Sequence, residues 1–500
     1  MVPAHTVHTV AESMTPSYEA VIGLEVHAQL KTTSKAFCSC SATFGAKPNV
    51  NTCPVCLGHP GTLPVLNEHL ITFAVRMGLA TNCSIRPTST FSRKNYFYAD
   101  LPKGYQISQY QDPICYDGHV EIELDESTTK RIGITRIHME EDSGKSIHDL
   151  DIDTLVDLNR AGVPLIEIVS EPDIRSPREA YLYLQQLRQT LMYLDICDGN
   201  MEEGSLRCDA NVSVRPVGRQ AFGTKTEVKN LNSFRNVEKA LEYEIQRQIS
   251  LILEGGSVVQ ETMMWDAGAQ QTRTMRSKEQ AHDYRYFPEP DLPHVQVTEQ
   301  LLEELRITLP ELGLQKKGRF RTQYGLPAYD AGILVEDAAV AAYYEAAVGH
   351  LRQPSVETYK QVSNWIMTEI LRVMGEKKVA IGEVGLSPLQ LASLVNVVAD
   401  GVISSKTAKD ILPELYASEQ TADQIVEAQG LRQMSDEGAL QAIVDDILAA
   451  NPESVEKYRE GKTKLLGFFV GQVLKATDGT ANPTIATALM KAALDGPLDK

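Results

Sequence analysis

Between Leu206 and Arg215 the chain alternates without a break. Leu206, Cys208, Ala210, Val212 and Val214 are apolar, while Arg207, Asp209, Asn211, Ser213 and Arg215 are polar. Only an extended strand has a side-chain period of two, so such a run sets one sheet face in a core and leaves the other polar. Val21 to Leu30 repeats the pattern, with Ile22, Leu24, Val26, Ala28 and Leu30 on one side and Gly23, Glu25, His27 and Gln29 on the other. Glu25 and His27 are therefore same-face neighbours, roughly 6.5–7 Å apart along the strand. Lys225, Glu227 and Lys229 alternate with Thr226, Val228 and Asn230 in the same way. Two more carboxylate positions stand in strand-like surroundings: His138-Met139-Glu140-Glu141-Asp142, and Glu167 within Val163 to Val169. The alternation leaves open whether Glu140 or Glu141 shares the face of Glu25.

Charged alternation alone is what any one-sided sheet shows. The set as a whole says more. Glu167 is flanked by Leu165, Ile166, Ile168 and Val169, where an unpartnered carboxylate costs several kcal/mol of desolvation. Acids, a histidine and several Lys and Arg on one face suit a hard cation beside phosphate groups. A metal–nucleotide site on an open sheet is the reading. The nucleotide is not held by a familiar loop: Ser143-Gly144-Lys145-Ser146 resembles the end of a P-loop, but Met139 stands where its first glycine is required. No glycine-rich kinase loop is found either.

At 500 residues and 55.2 kDa the chain exceeds one comfortable core, so two or three domains are expected. Alternating segments and carboxylates fill the stretch from Tyr18 to about Pro293; from Val297 onward helix follows helix. Pro288, Pro290 and Pro293 mark one joint and Gly401–Ser405 a second. The expected division is an extension at 1–17, a sheet domain at 18–293, a helical domain at 294–404 and a helical tail at 405–500. Within the sheet domain, Ser176-Pro177-Arg178-Glu179 carries a capping box and opens a helix to about Leu194. Ser233 caps another that stops before Gly255-Gly256. The first seventeen residues lack Lys, Arg and an apolar stretch, which excludes a secretory signal or an Arg-rich transit peptide. No apolar run approaches the ~20 residues of a membrane span. A soluble cytoplasmic protein is expected.

Cys38-Ser-Cys40, twelve residues and Cys53-Pro-Val-Cys56 give two thiolate arms, the donor set of a closed tetrahedral zinc site. His59 is an alternative ligand; reduced core thiols are the plainer reading. Cys83, Cys115, Cys197 and Cys208 are scattered and read as buried thiols. Arg93-Lys94-Asn95-Tyr96-Phe97-Tyr98 and Lys103-Gly-Tyr105 interleave cations with aromatics, suited to stacking on a base or equally to a turn with core aromatics. Net charge is −18 with a pI near 5.2, which opposes a broad nucleic-acid surface. Lys457, Arg459, Lys462 and Lys464 nevertheless form a local basic patch in the acidic tail.

Several long motifs carry a family resemblance: Val21-Ile-Gly-Leu-Glu-Val-His27, Ser92-Arg-Lys-Asn-Tyr-Phe-Tyr98, His138-Met-Glu-Glu-Asp142, Leu158-Asn-Arg160, Pro164 to Asp173, Met201 to Asn211, Lys229 to Phe234 and Asp283 to Pro290. From about Tyr18 to the C-terminus the chain resembles the GatB family of the tRNA-dependent amidotransferases. The resemblance implies an α+β chain: a cradle domain with an antiparallel sheet like that of glutamine synthetase and the guanidino kinases, then an all-α helical domain and an all-α tail that docks on tRNA. It implies a glutamine-dependent ligase. ATP phosphorylates the side-chain carboxylate of Glu on tRNA(Gln), or Asp on tRNA(Asn), and ammonia from a partner glutaminase subunit displaces the phosphate. A small third subunit straps the complex into a heterotrimer. The resemblance places the Mg²⁺ and ATP ligands at Glu25, His27, Glu141, Glu167 and Asp209, and so chooses Glu141 over Glu140. Alternation adds Arg207, Asn211, Lys225, Glu227 and Lys229 as nucleotide contacts. Cys38, Cys40, Cys53 and Cys56 would hold a structural Zn²⁺, and the Lys457–Lys464 patch would touch tRNA. Neither membrane nor DNA is expected as a partner. An amide ligase acting on a small free acid would leave the helical tail idle, and an RNA-binding scaffold would gain nothing from Glu167 or the Glu25–His27 pair.

Overall fold

The computed structural model describes residues 17–148, 150–277, 284–433, 437–477 and 481–496. The extension read at 1–17 lies outside the described residues except for its last position, as does Asp283 of the Asp283–Pro290 motif. The chain divides into two compact units, Met1–Gly313 and Leu314–Lys500.

Among the described residues, the first unit is built on a nine-stranded sheet. Its centre is the strand Tyr18–Gln29, flanked by Leu206–Pro216 on one side and Pro164–Ser170 on the other, both antiparallel. Thr129–Glu141 and Cys115–Glu123 extend the sheet beyond Pro164–Ser170. On the opposite side Thr226–Leu231 follows Leu206–Pro216, and Glu261–Asp266 joins it in parallel, the exception to the expected antiparallel order. Alternation works as the sequence implies: Ile22, Leu24, Val26 and Ala28 are fully buried while Glu25, His27 and Gln29 are half-buried. Three helices, Glu68–Ala80, Pro177–Tyr193 and Phe234–Leu253, join the apolar face in one core. Both N-caps form as read, Ser176 accepting from the Glu179 amide and Ser233 from that of Asn236, but the box at Ser176 does not close, because Glu179 Oε2 accepts from the Arg175 amide instead. Packing only one face leaves the other free to carry polar groups.

The proline-rich stretch read as a joint is woven into this unit. Phe287–Pro288 pairs with Ser92–Asn95, Val295–Gln296 pairs with Thr88–Ser89, and Leu302 and Leu305 of helix Glu299–Ile307 enter the sheet core. The break falls at Gly313 instead: pairings on both sides of the prolines, the Glu289 amide on the Phe91 carbonyl and the core contacts of Leu302 and Leu305 keep this stretch in the first unit.

Among the described residues, the second unit is helical and contains two apolar cores. One gathers residues from Phe320 to Val426 and includes helix Ser405–Ala417; the other runs from Leu440 to Leu494. Ile411, Leu412 and Leu415 therefore pack with the helices before Gly401, and the separate tail core begins with helix Glu437–Ala450. No helix among the described residues is long and apolar enough to cross a membrane.

Candidate active site and metal centres

Strand register assembles the polar face. His27 lies opposite Glu167 on one neighbouring strand and Arg207 on the other, and Glu167 in turn lies opposite His138. A row His138–Glu167–His27–Arg207 thus crosses four adjacent strands. Beside it, Glu25 faces Asp209.

The acids condense around His27. Its Nε2 is 3.3 Å from Glu167 Oε2 and 3.7 Å from Glu140 Oε1. His138 Nε2 stands 3.4 Å from Glu167 and 3.6 Å from Glu140, and the Ser108 hydroxyl donates to Glu140 Oε2 at 3.1 Å. One ligand atom each from His27, Glu140 and Glu167 fits within 4.8 Å. Burial works against charge on His27, Glu140 and Glu167, but their neighbours override it. The Glu167 hydrogen bond and the Glu167 and Glu140 charges raise His27 to about 9. Glu167 is held well below the usual carboxylate range by the His138 charge and the His27 hydrogen bond, and Glu140 is lowered by His138. Two carboxylates and an imidazole thus stand where a cation would be welcome.

A second group adjoins them. Asn211 Nδ2 donates to Glu25 Oε1 at 2.9 Å. Lys229 bridges Asp209 and Glu227, reaching Glu227 Oε1 at 3.0 Å. Burial and the charges of Glu167 and Asp209 raise Glu25. Burial lowers Lys229, yet Asp209 and Glu227 outweigh it and keep the ammonium charged. Asp142, buried at 4% exposure, accepts from Gln29 at 2.7 Å and pairs with Arg207 at 3.0 Å and Arg160 at 3.7 Å. Lys225 is placed with Gly23, Glu25, Asn211, Ser213 and Phe222 around a cavity of about 390 Å³.

Of the residues expected from sequence, Glu25, His27, Glu167, Arg207, Asp209, Asn211, Glu227 and Lys229 share this face, with Lys225 at its edge. Glu141 does not. Its Oε1 accepts from the Ile107 amide at 2.9 Å and pairs with Lys103, in a cavity shared with Cys38 and Cys56. Glu140 takes the place assigned to Glu141, because a strand sends successive side chains to opposite faces. Two further members went unnoticed in the sequence. His138 was findable from its parity with Glu140. Lys94, whose ammonium is pulled down by burial but raised more by Glu140 and other acids nearby, comes from the aromatic-basic segment. There Tyr284 lies 4.9 Å from Lys94 Nζ, Arg93 pairs bidentately with Glu289, and Phe97 is 83% exposed. Ser143–Ser146 enters a short strand, Lys145–Ile147, rather than a helix, so it offers no P-loop.

The four cysteines converge. One sulfur from each of Cys38, Cys40, Cys53 and Cys56 lies within 4.8 Å of the others, and Cys53 and Cys56 are 3.9 Å apart. Tetrahedral zinc with Zn–S near 2.3 Å sets sulfurs about 3.8 Å apart, so the donor set fits. The Cys38 hydrogen bond, opposed by burial and helped by the Cys53 amide and Lys35, pulls Cys56 down to about 4. His59 lines the adjoining cavity and is not in the quartet. Cys83, Cys115, Cys197 and Cys208 are buried free thiols. In the second unit Lys457, Arg459, Lys462 and Lys464 are all exposed at the end of helix Pro452–Arg459, with Arg459 Nε donating to the Leu494 carbonyl at 3.0 Å.

Residues 20–303 match the GatB/GatE catalytic domain and residues 342–494 the GatB domain. The chain belongs to the GatB family. It is 56% identical to the B subunit of an aspartyl/glutamyl-tRNA(Asn/Gln) amidotransferase from Thermodesulfovibrio yellowstonii, over 95% of this chain and 98% of that one. It is 55% identical to the protein of the same name from Solidesulfovibrio magneticus over 95% and 98%, and 54% identical to that of Geobacter sulfurreducens over 96% and 100%. The matched GatB/GatE catalytic domain contains every member of the polar face.

Proposed function

We propose that this chain is the activating subunit of a glutamine-dependent carbon–nitrogen ligase that converts Glu-tRNA(Gln) to Gln-tRNA(Gln), Asp-tRNA(Asn) to Asn-tRNA(Asn), or both, in the cytoplasm. The observation that carries this is the cluster of His27, Glu140 and Glu167 beside Asp209 and Lys229, with a nucleotide-sized cavity at Lys225. A side-chain carboxylate oxygen of the misattached residue attacks the γ-phosphorus of ATP, and ADP leaves. Ammonia then attacks the acyl carbon, phosphate leaves, and the nitrogen gives up a proton to become the amide.

His27, Glu140 and Glu167 would hold Mg²⁺, which when bound neutralises charge on the transferring phosphoryl group. Lys229, Lys225 and Arg207 line the same face and stabilise phosphate oxygens as charge redistributes. Lys229 is positioned in advance by Asp209 and Glu227, and Arg207 by Asp142. The cysteine quartet supports a closed structural zinc with no role in the reaction. A glutaminase subunit supplies ammonia, a small third subunit joins the two, and the Lys457–Lys464 patch contacts tRNA.

ATP hydrolysis by the assembled complex tests this. Turnover is expected to require Mg²⁺ and misacylated tRNA, to be absent with uncharged tRNA, and to be lost in Asp209→Asn. Full turnover in a variant that still binds tRNA would put the ATP site elsewhere.

A further inference from the structure

The polar face continues past His27. Gln29, the next residue on that face, lines a cavity of about 470 Å³ together with Phe44, Lys145, Asn159, Arg160, Glu202 and Glu203. That volume falls within the range of small-ligand sites, and its walls differ in chemistry.

Phe44 is 70% exposed, yet its loop is fixed. Asn159 Nδ2 donates to the Lys47 carbonyl at 2.7 Å and its Oδ1 accepts from the Asn51 amide at 2.8 Å. Asn49 ties the loop to the Leu155–Asp157 strand, donating to Asp157 Oδ1 and to the Val156 carbonyl, both at 3.0 Å, and accepting from the Leu158 amide. An exposed aromatic ring on an anchored loop offers a face for stacking. Arg160 is equally fixed, its Nε donating to the Ser143 carbonyl at 2.9 Å and its terminal nitrogen to that of Gly144. Arg160 and Arg207 share the one carboxylate of Asp142 and exposed Lys145 stands opposite Asp157, which lines the same cavity, so this side keeps more cations than carboxylates. The other side is acidic. Glu202 and Glu203 are exposed on a turn closed by Asn200 Oδ1, which accepts from both their amides, with Gly204 at φ 82°.

A ring platform, a cationic wall and an anionic wall, opening beside the candidate phosphoryl-transfer row, match one end of one molecule. We propose that this cavity receives the 3′-terminal aminoacyl-adenosine of the substrate RNA: adenine stacked on Phe44, its phosphodiester beside Lys145 and Arg160, and the α-ammonium of the attached amino acid against Glu202 and Glu203. The side-chain carboxylate then extends along Gln29 toward His27. This rests on the carboxylate-phosphorylation reading and adds how the acid reaches it. It also explains how an aminoacylated end is told from a bare one, since only the former brings a cation to the acidic wall.

The test is binding of 3′-(L-glutamylamino)-3′-deoxyadenosine 5′-phosphate to the intact complex by calorimetry. Wild type is expected to bind it, and Phe44→Ala and the double variant Glu202→Gln/Glu203→Gln each to bind about tenfold more weakly, with ATP affinity unchanged and Phe44→Trp restoring binding. N-acetylation of the glutamyl amine should weaken binding to wild type and make no difference to the double variant. Equal affinities across the variants, no binding to wild type, or indifference of wild type to acetylation would overturn the proposal. Turnover separates the two readings: normal binding of the analogue by a wild-type complex that fails to phosphorylate misacylated tRNA would sink the phosphorylation reading and leave the binding site standing.

Discussion

Glu140 and Glu141 adjoin in the chain and leave the strand in opposite directions. Glu140 meets His27 and His138, while Glu141 meets Lys103 and the Ile107 amide. The sequence could not separate them for a physical reason. Ile132 and Ile134 set an even-numbered core face, but Ile137 and Met139 lie in the same core. A bulge at Thr135, where Ser170 and Val169 oppose Ile134 and Arg136, reverses the parity between them. Counting by twos from Ile134 therefore lands on the wrong glutamate. Two variants expose the difference. Glu140→Gln should lower kcat by about 10²–10³, as expected on losing one electrostatic stabiliser, with melting temperature unchanged. Glu141→Gln should keep kcat within a few-fold but lose about 3 kcal/mol of stability, since Lys103, largely withdrawn from solvent, is left without its charged partner; denaturant unfolding reads it.

At the scale of elements, alternation and caps made most of the first unit legible. The strands through Glu25 and Asp209 and the helices opened by Ser176 and Ser233 follow from local rules. What stayed hidden depended on contacts far apart in sequence: Lys94 reaches the acids from the middle strand of a small separate sheet, paired with Phe287–Pro288 on one side and Tyr105–Ser108 on the other, which no local pattern announces. The helix Phe234–Leu253 also carries a buried acid, Glu244, which accepts from Thr226, Gln248, Thr272 and Arg247. Burial pushes its pKa up, but Arg247 and Gln248 outweigh burial and hold it below the ordinary glutamate value of 4.5. A carboxylate depressed in the folded state contributes stability above its unfolded value, and that stability is lost as pH falls through the folded value. Wild type should thus lose more stability than Glu244→Gln on acidification below about pH 4.5, measured by urea unfolding at several pH values; parallel profiles would contradict this. For the cysteine loop, mercurial titration of the four thiols should release one zinc per chain and open the 38–65 segment to protease. Release of no metal would return the quartet to reduced thiols.

For the whole molecule, the proposed RNA contact of an acidic chain rests on one local basic patch. Exposed Lys457, Arg459, Lys462 and Lys464 lie beside Glu453, Glu456 and Glu460 on the same stretch, so the patch is small. Replacing all four by Ala should raise KM for tRNA and reduce the slope of log K against log salt by about 3 to 4, while kcat at saturating tRNA is preserved; an unchanged slope would move the tRNA contact elsewhere. Oxygen tracing tests whether this sheet face transfers a phosphoryl group to a side-chain carboxylate. With Glu carrying ¹⁸O in its side-chain carboxylate and attached to tRNA(Gln), the complex should release phosphate bearing one labelled oxygen for each amide formed, and Glu140→Gln should slow that release while Glu141→Gln does not. Unlabelled phosphate, or loss of labelled phosphate in Glu141→Gln with Glu140→Gln intact, would mean that the His27–Glu140–Glu167 face does not phosphorylate the carboxylate.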